Sequence, residues 1–203
     1  MKVLVGICCG GTIHAQTATS LLGAVDQLKA RGIDYMVSIQ IGGDKAQGMN
    51  RLAREAVKGK YDFLMSIDND MVFPADGIVK LIDHDKDIVG ANYSVRGNAV
   101  RGNPREVVVK MADKNGKRIT MPFTDLPDQL FRCNALGNGF TLYKTAVFEG
   151  MQAPWFYVKE DEQGNWSGED VLMHEAAQAQ GFEVWCSPTI HMGHIGTYRY
   201  ENV

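Results

Sequence analysis

The 203-residue chain is 45% hydrophobic and 22% charged, with a formal net charge of −3. That length suffices for one domain with a proper core over residues 1–203, the composition is ordinary for a soluble globular protein, and the charge gives no electrostatic case for a nucleic-acid or anionic-membrane partner. No apolar run approaches the length of a membrane span, and Cys8, Cys9, Cys133 and Cys186 form no CxxC pair, which argues against a zinc site and for reduced thiols in a cytoplasmic protein.

Residues 2–8, KVLVGIC, read as a buried strand, after which Gly10-Gly11-Thr12 turns the chain. Residues 18–30 carry Leu21, Leu22, Val25 and Leu28 at helical spacing, with Gly32 as a stop. A second strand over 34–41 closes on Gly42-Gly43, and a second helix over 46–58 has Leu52, Ala53, Ala56 and Val57 as its apolar side. Strand, helix, strand, helix and strand in this order predict a parallel sheet with covering helices. Ligands of such sheets bind outside the carboxyl ends of the strands. The Gly10-Gly11-Thr12 turn and the end of the third strand therefore share one rim. Gly10-Gly11 has no G-x-G-x-x-G or Walker context, and His14 just beyond it either lines the rim or is exposed.

The third strand opens as Phe63-Leu64-Met65-Ser66-Ile67 and breaks into Asp68-Asn69-Asp70. Residues two apart in an extended chain point the same way, so the two carboxylates would lie roughly 6–7 Å apart on one face. Charges that close repel, and one takes up a proton unless a cation sits with them. A divalent metal carrying phosphate oxygens is a natural companion, whereas a plain strand end followed by a solvated turn is the bland alternative.

Downstream, Pro74 stands where a helix begins, residues 77–83 carry Ile78, Leu81 and Ile82, and a short strand covers 87–91. The stretch 93–104 is rich in Gly and Asn and holds Arg96 and Arg101, with Arg105 next; it reads either as a loop with solvated charges or as a cover whose arginines meet phosphates. Residues 106–111 and 118–121 flank a polar turn and predict a β-hairpin, and 122–128 read as loop. Gly137-Asn138-Gly139 leads into an alternating strand over 140–143, and small residues there admit a close approach to the backbone. Trp155, Phe156, Tyr157 and Trp166 bracket an acidic loop and read mostly as core, with stacking on a sugar face as the alternative. Ser167-Gly168-Glu169-Asp170 then starts a helix that runs to about Gln180, with Gly181 as its stop and a strand over 182–186. Ser167 and Asp170 have the spacing of a capping box, and a carboxylate at a helix N-terminus should have a lowered pKa.

The D-x-D block resembles that of glycosyltransferases with the GT-A fold, whose aspartates hold Mn²⁺ or Mg²⁺ against the diphosphate of a nucleotide sugar. The resemblance runs from Val3 to about Gly196 and rests on order: strand, D-x-D, small-residue strand, acidic helix start, late His. It implies an α/β fold of the GT-A type, a mostly parallel central sheet with flanking helices and a small β-hairpin. It implies Asp68, Asp70 and His194 as metal ligands, with His191 as the fallback, and Asp170 as general base for the acceptor hydroxyl, with Glu169 as the alternative. Gly10, Gly11, Thr12, Asn50, Asp68, Asn69, Arg96, Gly137, Asn138 and Gly139 would contact the donor. One departure is that many relatives carry Arg-Asn in the helix before the D-x-D strand, where this chain has Met49-Asn50. The implied function is metal-dependent transfer of a sugar from a nucleotide-diphosphate sugar to an unidentified acceptor, with inversion.

Two rivals stand beside it. Asp68-x-Asp70-x-Val72 superficially fits the nucleophile motif of haloacid-dehalogenase-type phosphatases, although two βα units precede it here. The third reading is a non-catalytic nucleotide-sugar-binding protein. The sugar, the nucleotide base, the acceptor and the oligomeric state are not legible.

Overall fold

The computed structural model describes residues 1–95, 106–112, 118–122 and 125–196. Strand β1 (Lys2–Cys9) buries Val3, Leu4, Val5 and Ile7, an apolar run suited to a strand covered on both faces. Helix α1 (Ala15–Ala30) returns the chain to β2 (Asp34–Ile41), and α2 (Lys45–Lys58) returns it to β3 (Phe63–Asp68). On α1 the buried residues are Thr17, Ala24, Val25 and Leu28, while Leu22 is exposed, so the packed stripe is narrower than the leucine spacing predicts. Asp44 caps α2 by accepting from Gln47 N–H at 2.8 Å.

After β3 come β4 (Met71–Val72), α3 (Gly77–Asp83) and β5 (Ile88–Ala91). A hairpin of β6 (Glu106–Ala112) and β7 (Arg118–Pro122) follows, then β8 (Phe131–Arg132), β9 (Phe140–Lys144) and α4 (Thr145–Glu149). The described residues end in β10 (Lys159–Glu160), β11 (Trp166–Ser167), α5 (Glu169–Ala179), β12 (Val184–Ser187) and β13 (Gly193–His194). The turn of the predicted hairpin lies outside the described residues.

The central sheet has seven strands in the order β2-β1-β3-β9-β5-β12-β8. β1 runs parallel to β2 and β3, and β12 to β5, while β9 is antiparallel to both of its neighbours and β8 to β12. The sheet is thus mostly parallel, with β9 inserted in reverse at its middle. One core cluster joins α1 and α3 to one face of the sheet, through Ala24, Leu28, Ile78 and Leu81 against Val3, Val5 and Met65. The other joins α2, α4 and α5 to the opposite face, through Leu52, Phe148 and Met173 against Leu4, Leu64 and Val184. Register places Cys8 beside Asp68 and Cys9 beside Ile41, so the ends of β1, β2 and β3 form one rim, as the order of elements predicts.

Candidate functional site

The two aspartates of the D-x-D block reach this rim but take different partners. Asp68, at the end of β3, is about one-fifth exposed, and its Oδ1 lies 2.5 Å from Lys45 Nζ at the start of α2. Burial pulls the Lys45 ammonium down, but Asp68, with Glu169 and Asp170 behind it, outweighs burial and holds its pKa above the ordinary lysine value.

Asp70 is buried, 3% exposed, and turns to the end of the chain. β13 pairs antiparallel with β4, placing His194 opposite Met71, and Ile195 N–H donates to the Asp70 carbonyl at 2.9 Å. His194 Nδ1 lies 2.8 Å from the Ser94 carbonyl. A carbonyl only accepts, so Nδ1 carries a proton and Nε2 is the nitrogen turned toward Asp70. That Nε2 is buried, has no hydrogen-bond partner among the described residues, and faces Asp70 Oδ1 at 3.5 Å. A carboxylate oxygen facing an imidazole nitrogen in a buried place is an arrangement that a proton or a cation can bridge. The Nδ1–carbonyl bond is also what orients an imidazole that ligates metal. His191, the fallback, is exposed.

The residues therefore fit a divalent cation through Asp70 and His194, an oxygen–nitrogen pair suited to Mn²⁺ and open to Mg²⁺. Asp68, expected in the same ligand set, has its Oδ1 against Lys45. Among the described residues no three His, Cys, Asp or Glu side chains stand close enough to form a cage. Two protein ligands leave the remaining coordination to oxygens of substrate or water.

The glycine segment before β9 closes this group from behind. Gly139 N–H donates to the Tyr93 hydroxyl at 2.8 Å, and a Cβ on Gly139 would fall 2.5 Å from that oxygen and 3.2 Å from Asp68 Oδ2. A Cβ on Gly137 would collide with the same hydroxyl. The small residues thus admit Tyr93, whose ring meets His194 edge-on with centroids 5.3 Å apart. Asn138, between the two glycines in sequence, is buried; its Oδ1 accepts from the Tyr143 hydroxyl and its carbonyl from Ser66 Oγ at 2.7 Å. Leu136 N–H donates to His174 Nδ1 at 3.2 Å, so the imidazole proton sits on Nε2 and bonds the Tyr143 hydroxyl at 3.0 Å. Burial pushes His174 down to about 3.

His174 stands one turn beyond Asp170 on α5. The helix is capped by Gly168 without a side-chain bond, so Ser167 does not form the predicted capping box. Asp170 Oδ1 instead accepts from Val171 N–H at 2.7 Å. Its pKa is raised, first by burial and then by the Glu169 charge, against the lowering that its place at a helix start predicts; the backbone donor and Lys45 only partly offset this.

The turn after β1 completes the rim. Gly10 and Gly11 are exposed, and Gly11 adopts φ +126°, which favours glycine. Asn69 Nδ2 donates to the Thr12 carbonyl at 2.8 Å and His14 N–H to the Asn69 carbonyl at 3.0 Å, tying this turn to the D-x-D turn. Between Gly10, Gly43, Lys45 and the two aspartates lies a cleft of about 250 Å³. A larger hollow of about 470 Å³ lies at the opposite end of the strands, beside Met1, Asp62, Phe63 and Lys144, away from Asp68 and Asp70.

Asn50 faces inward rather than into the cleft. Its Nδ2 donates to the Ala46 and Phe156 carbonyls at 2.9 and 2.6 Å, and its Oδ1 accepts from Trp155 and Phe156 N–H at 2.9 and 3.2 Å. Trp155 and Phe156 are core, whereas Tyr157 and Trp166 are exposed. Arg96 lies outside the described residues. Lys45 and Tyr93 are rim residues that the sequence reading does not single out. Gly42-Gly43-Asp44-Lys45 does carry a signal for the first, a rim turn followed by a capped helix whose first side chain is cationic.

No family model and no curated protein matches the chain. Solved structures do. A197 from STIV superposes with a TM-score of 0.60 at 19% identity, over 97% of this chain and 87% of that one. GalNAc-T7, solved with UDP, GalNAc and Mn²⁺, superposes with a TM-score of 0.54 at 13% identity, over 99% of this chain and 44% of that one. The chain therefore spans less than half of GalNAc-T7, a glycosyltransferase of the GT-A type, and itself has a GT-A-like fold.

Proposed function

We propose that the protein is a metal-dependent glycosyltransferase that moves a sugar from a nucleotide-diphosphate sugar to an acceptor hydroxyl with inversion. The observation that carries this reading is that buried Asp70 faces the Nε2 of His194, which has no hydrogen-bond partner among the described residues, at the sheet rim. Mn²⁺ or Mg²⁺ held there would supply the positive charge that offsets charge developing on a departing diphosphate. Asp170 takes the acceptor proton as the hydroxyl oxygen bonds to the anomeric carbon and the bond to the diphosphate breaks; its raised pKa makes it a better base than an exposed carboxylate. Inversion follows from a base that works opposite the leaving group. Tyr93 holds the glycine segment against Asp68 and His194, and so sets the back wall of the sugar site. The GT-A-like fold disfavours the phosphatase alternative, which depended on a different family.

A thermal-shift screen of UDP-, GDP- and other activated sugars, with and without Mn²⁺, tests the reading. One donor class should stabilise the protein only when Mn²⁺ is present, and Asp70→Asn should remove that stabilisation. Stabilisation without transfer to any acceptor in a broad screen would favour a nucleotide-sugar-binding protein. Absence of stabilisation by every donor with Mn²⁺ would end the proposal.

A further inference from the structure

The rim contains a cation of its own. Lys45 Nζ lies 2.5 Å from Asp68 Oδ1, and the two side chains are 33% and 22% exposed. The pair therefore stands at the mouth of the cleft rather than deep in the core. Its basic member is a lysine, a single charge on a flexible stem without the rigid fork that would fix an arginine to one carboxylate. Gly43, Lys45 and Asp68 line the same cleft, so a short swing of the ammonium stays inside it.

The neighbouring group has the complementary shortfall. Among the described residues Asp70 and His194 offer two protein ligands, and the Asp68 carboxylate, turned to Lys45, does not stand close enough to them to make a third. Lys45 also feels the charges of Glu169 and Asp170, so leaving Asp68 does not leave it among neutral groups. A diphosphate entering beside a divalent cation would bring oxygens that suit an ammonium.

We propose, resting on the metal-dependent donor site above, that Lys45 is an exchangeable counter-ion: it neutralises Asp68 until a diphosphate enters, then transfers its ammonium to the diphosphate oxygens and frees Asp68 for the cation held by Asp70 and His194. The exchange makes metal binding and diphosphate binding mutually supportive, because each releases a group the other needs. It also disfavours tight uptake of metal by the protein alone.

Mn²⁺ affinity, read from the paramagnetic resonance of the free ion without nucleotide, tests the first half. Lys45→Met should bind Mn²⁺ on the order of tenfold tighter than wild type, since an adjacent positive charge is gone and Asp68 is available. The Lys45→Met, Asp68→Asn double variant should lose the gain, while Asp68→Asn alone, which leaves the Lys45 charge uncompensated, should weaken Mn²⁺ binding by no more than about tenfold. Inorganic pyrophosphate, titrated calorimetrically at saturating Mn²⁺, tests the second half. Lys45→Met should bind it roughly tenfold more weakly, and Lys45→Arg should retain most of the affinity.

A gain in Mn²⁺ affinity that survives in the double variant would show that Lys45 only repels the metal, and would overturn the exchange. A loss in Asp68→Asn alone well beyond the effect of the uncompensated Lys45 charge would show that Asp68 is already a ligand, with the same consequence. Equal pyrophosphate binding in wild type and Lys45→Met would show that the ammonium never reaches the diphosphate. Each of these leaves the metal-dependent reading intact, whereas a wild type that binds no Mn²⁺, alone or with pyrophosphate, removes both.

Discussion

Asp170 sits where the partial positive charge of a helix start should lower its pKa. Burial and the adjacent Glu169 reverse the sign. Because its folded pKa lies above the ordinary carboxylate value of 3.8, the charged form costs stability; the protein is free of that cost below 3.8 and incurs it as pH rises through the raised value. Asp170→Asn should therefore melt higher than wild type at neutral pH, with the gap narrowing on acidification in a pH series of thermal melts. The same variant should lose roughly 10²–10⁴-fold in transfer rate while its donor-induced thermal shift persists. A residue whose removal stabilises the fold and stops the reaction is held there against its own electrostatics.

Among the elements, α2 does two things with one short sequence. Its first residue, Lys45, faces the cleft, and Asn50 faces the core, where it makes four hydrogen bonds, three of them to the backbone of Trp155 and Phe156. Asn50→Ala would leave those buried backbone groups unpaired. It should lower unfolding free energy by about 2–4 kcal/mol, measured by urea titration. Mn²⁺ affinity should change much less, since Asp70 and His194 are held by β4 and β13 rather than by α2. The resemblance to relatives with Arg-Asn in this helix points to a donor contact at Asn50; geometry gives it an anchoring task. The long elements were legible because their apolar residues repeat over many positions, as in 34–41 and 77–83. The two-residue strands β4, β8, β10, β11 and β13 were not, since a pair of residues has no period. The β4–β13 pair nevertheless brings His194 to Asp70.

For the molecule as a whole, a pH liability lies in the buried chain of Leu136, His174, Tyr143 and Asn138, which joins α5 to the segment before β9. His174 stays neutral in the folded protein down to about 3, whereas the unfolded chain takes up its proton near 6.5. Stability is thus lost as pH falls from about 6.5 to about 3 and levels off below. Over that window wild type should lose about 1.4 kcal/mol per pH unit more than His174→Gln, in urea unfolding series of both proteins. Equal slopes would mean that His174 is protonated when folded and that the hydrogen-bond assignment is wrong.

The sequence by itself determined the alternation of strands and helices, the rim shared by Gly10 and the D-x-D block, and the acidic start of α5. Each is written in periodicities and breaks that act over a few residues. Only the tertiary structure decided the reversed insertion of β9, the assignment of Asp68 to Lys45 and of Asp70 to His194, and the direction of the Asp170 shift. Those outcomes depend on burial and on charges brought together from distant parts of the chain, as His194 is to Asp70. Local pattern names the groups that can reach a rim, but solvation and Coulomb energy at the rim choose their partners.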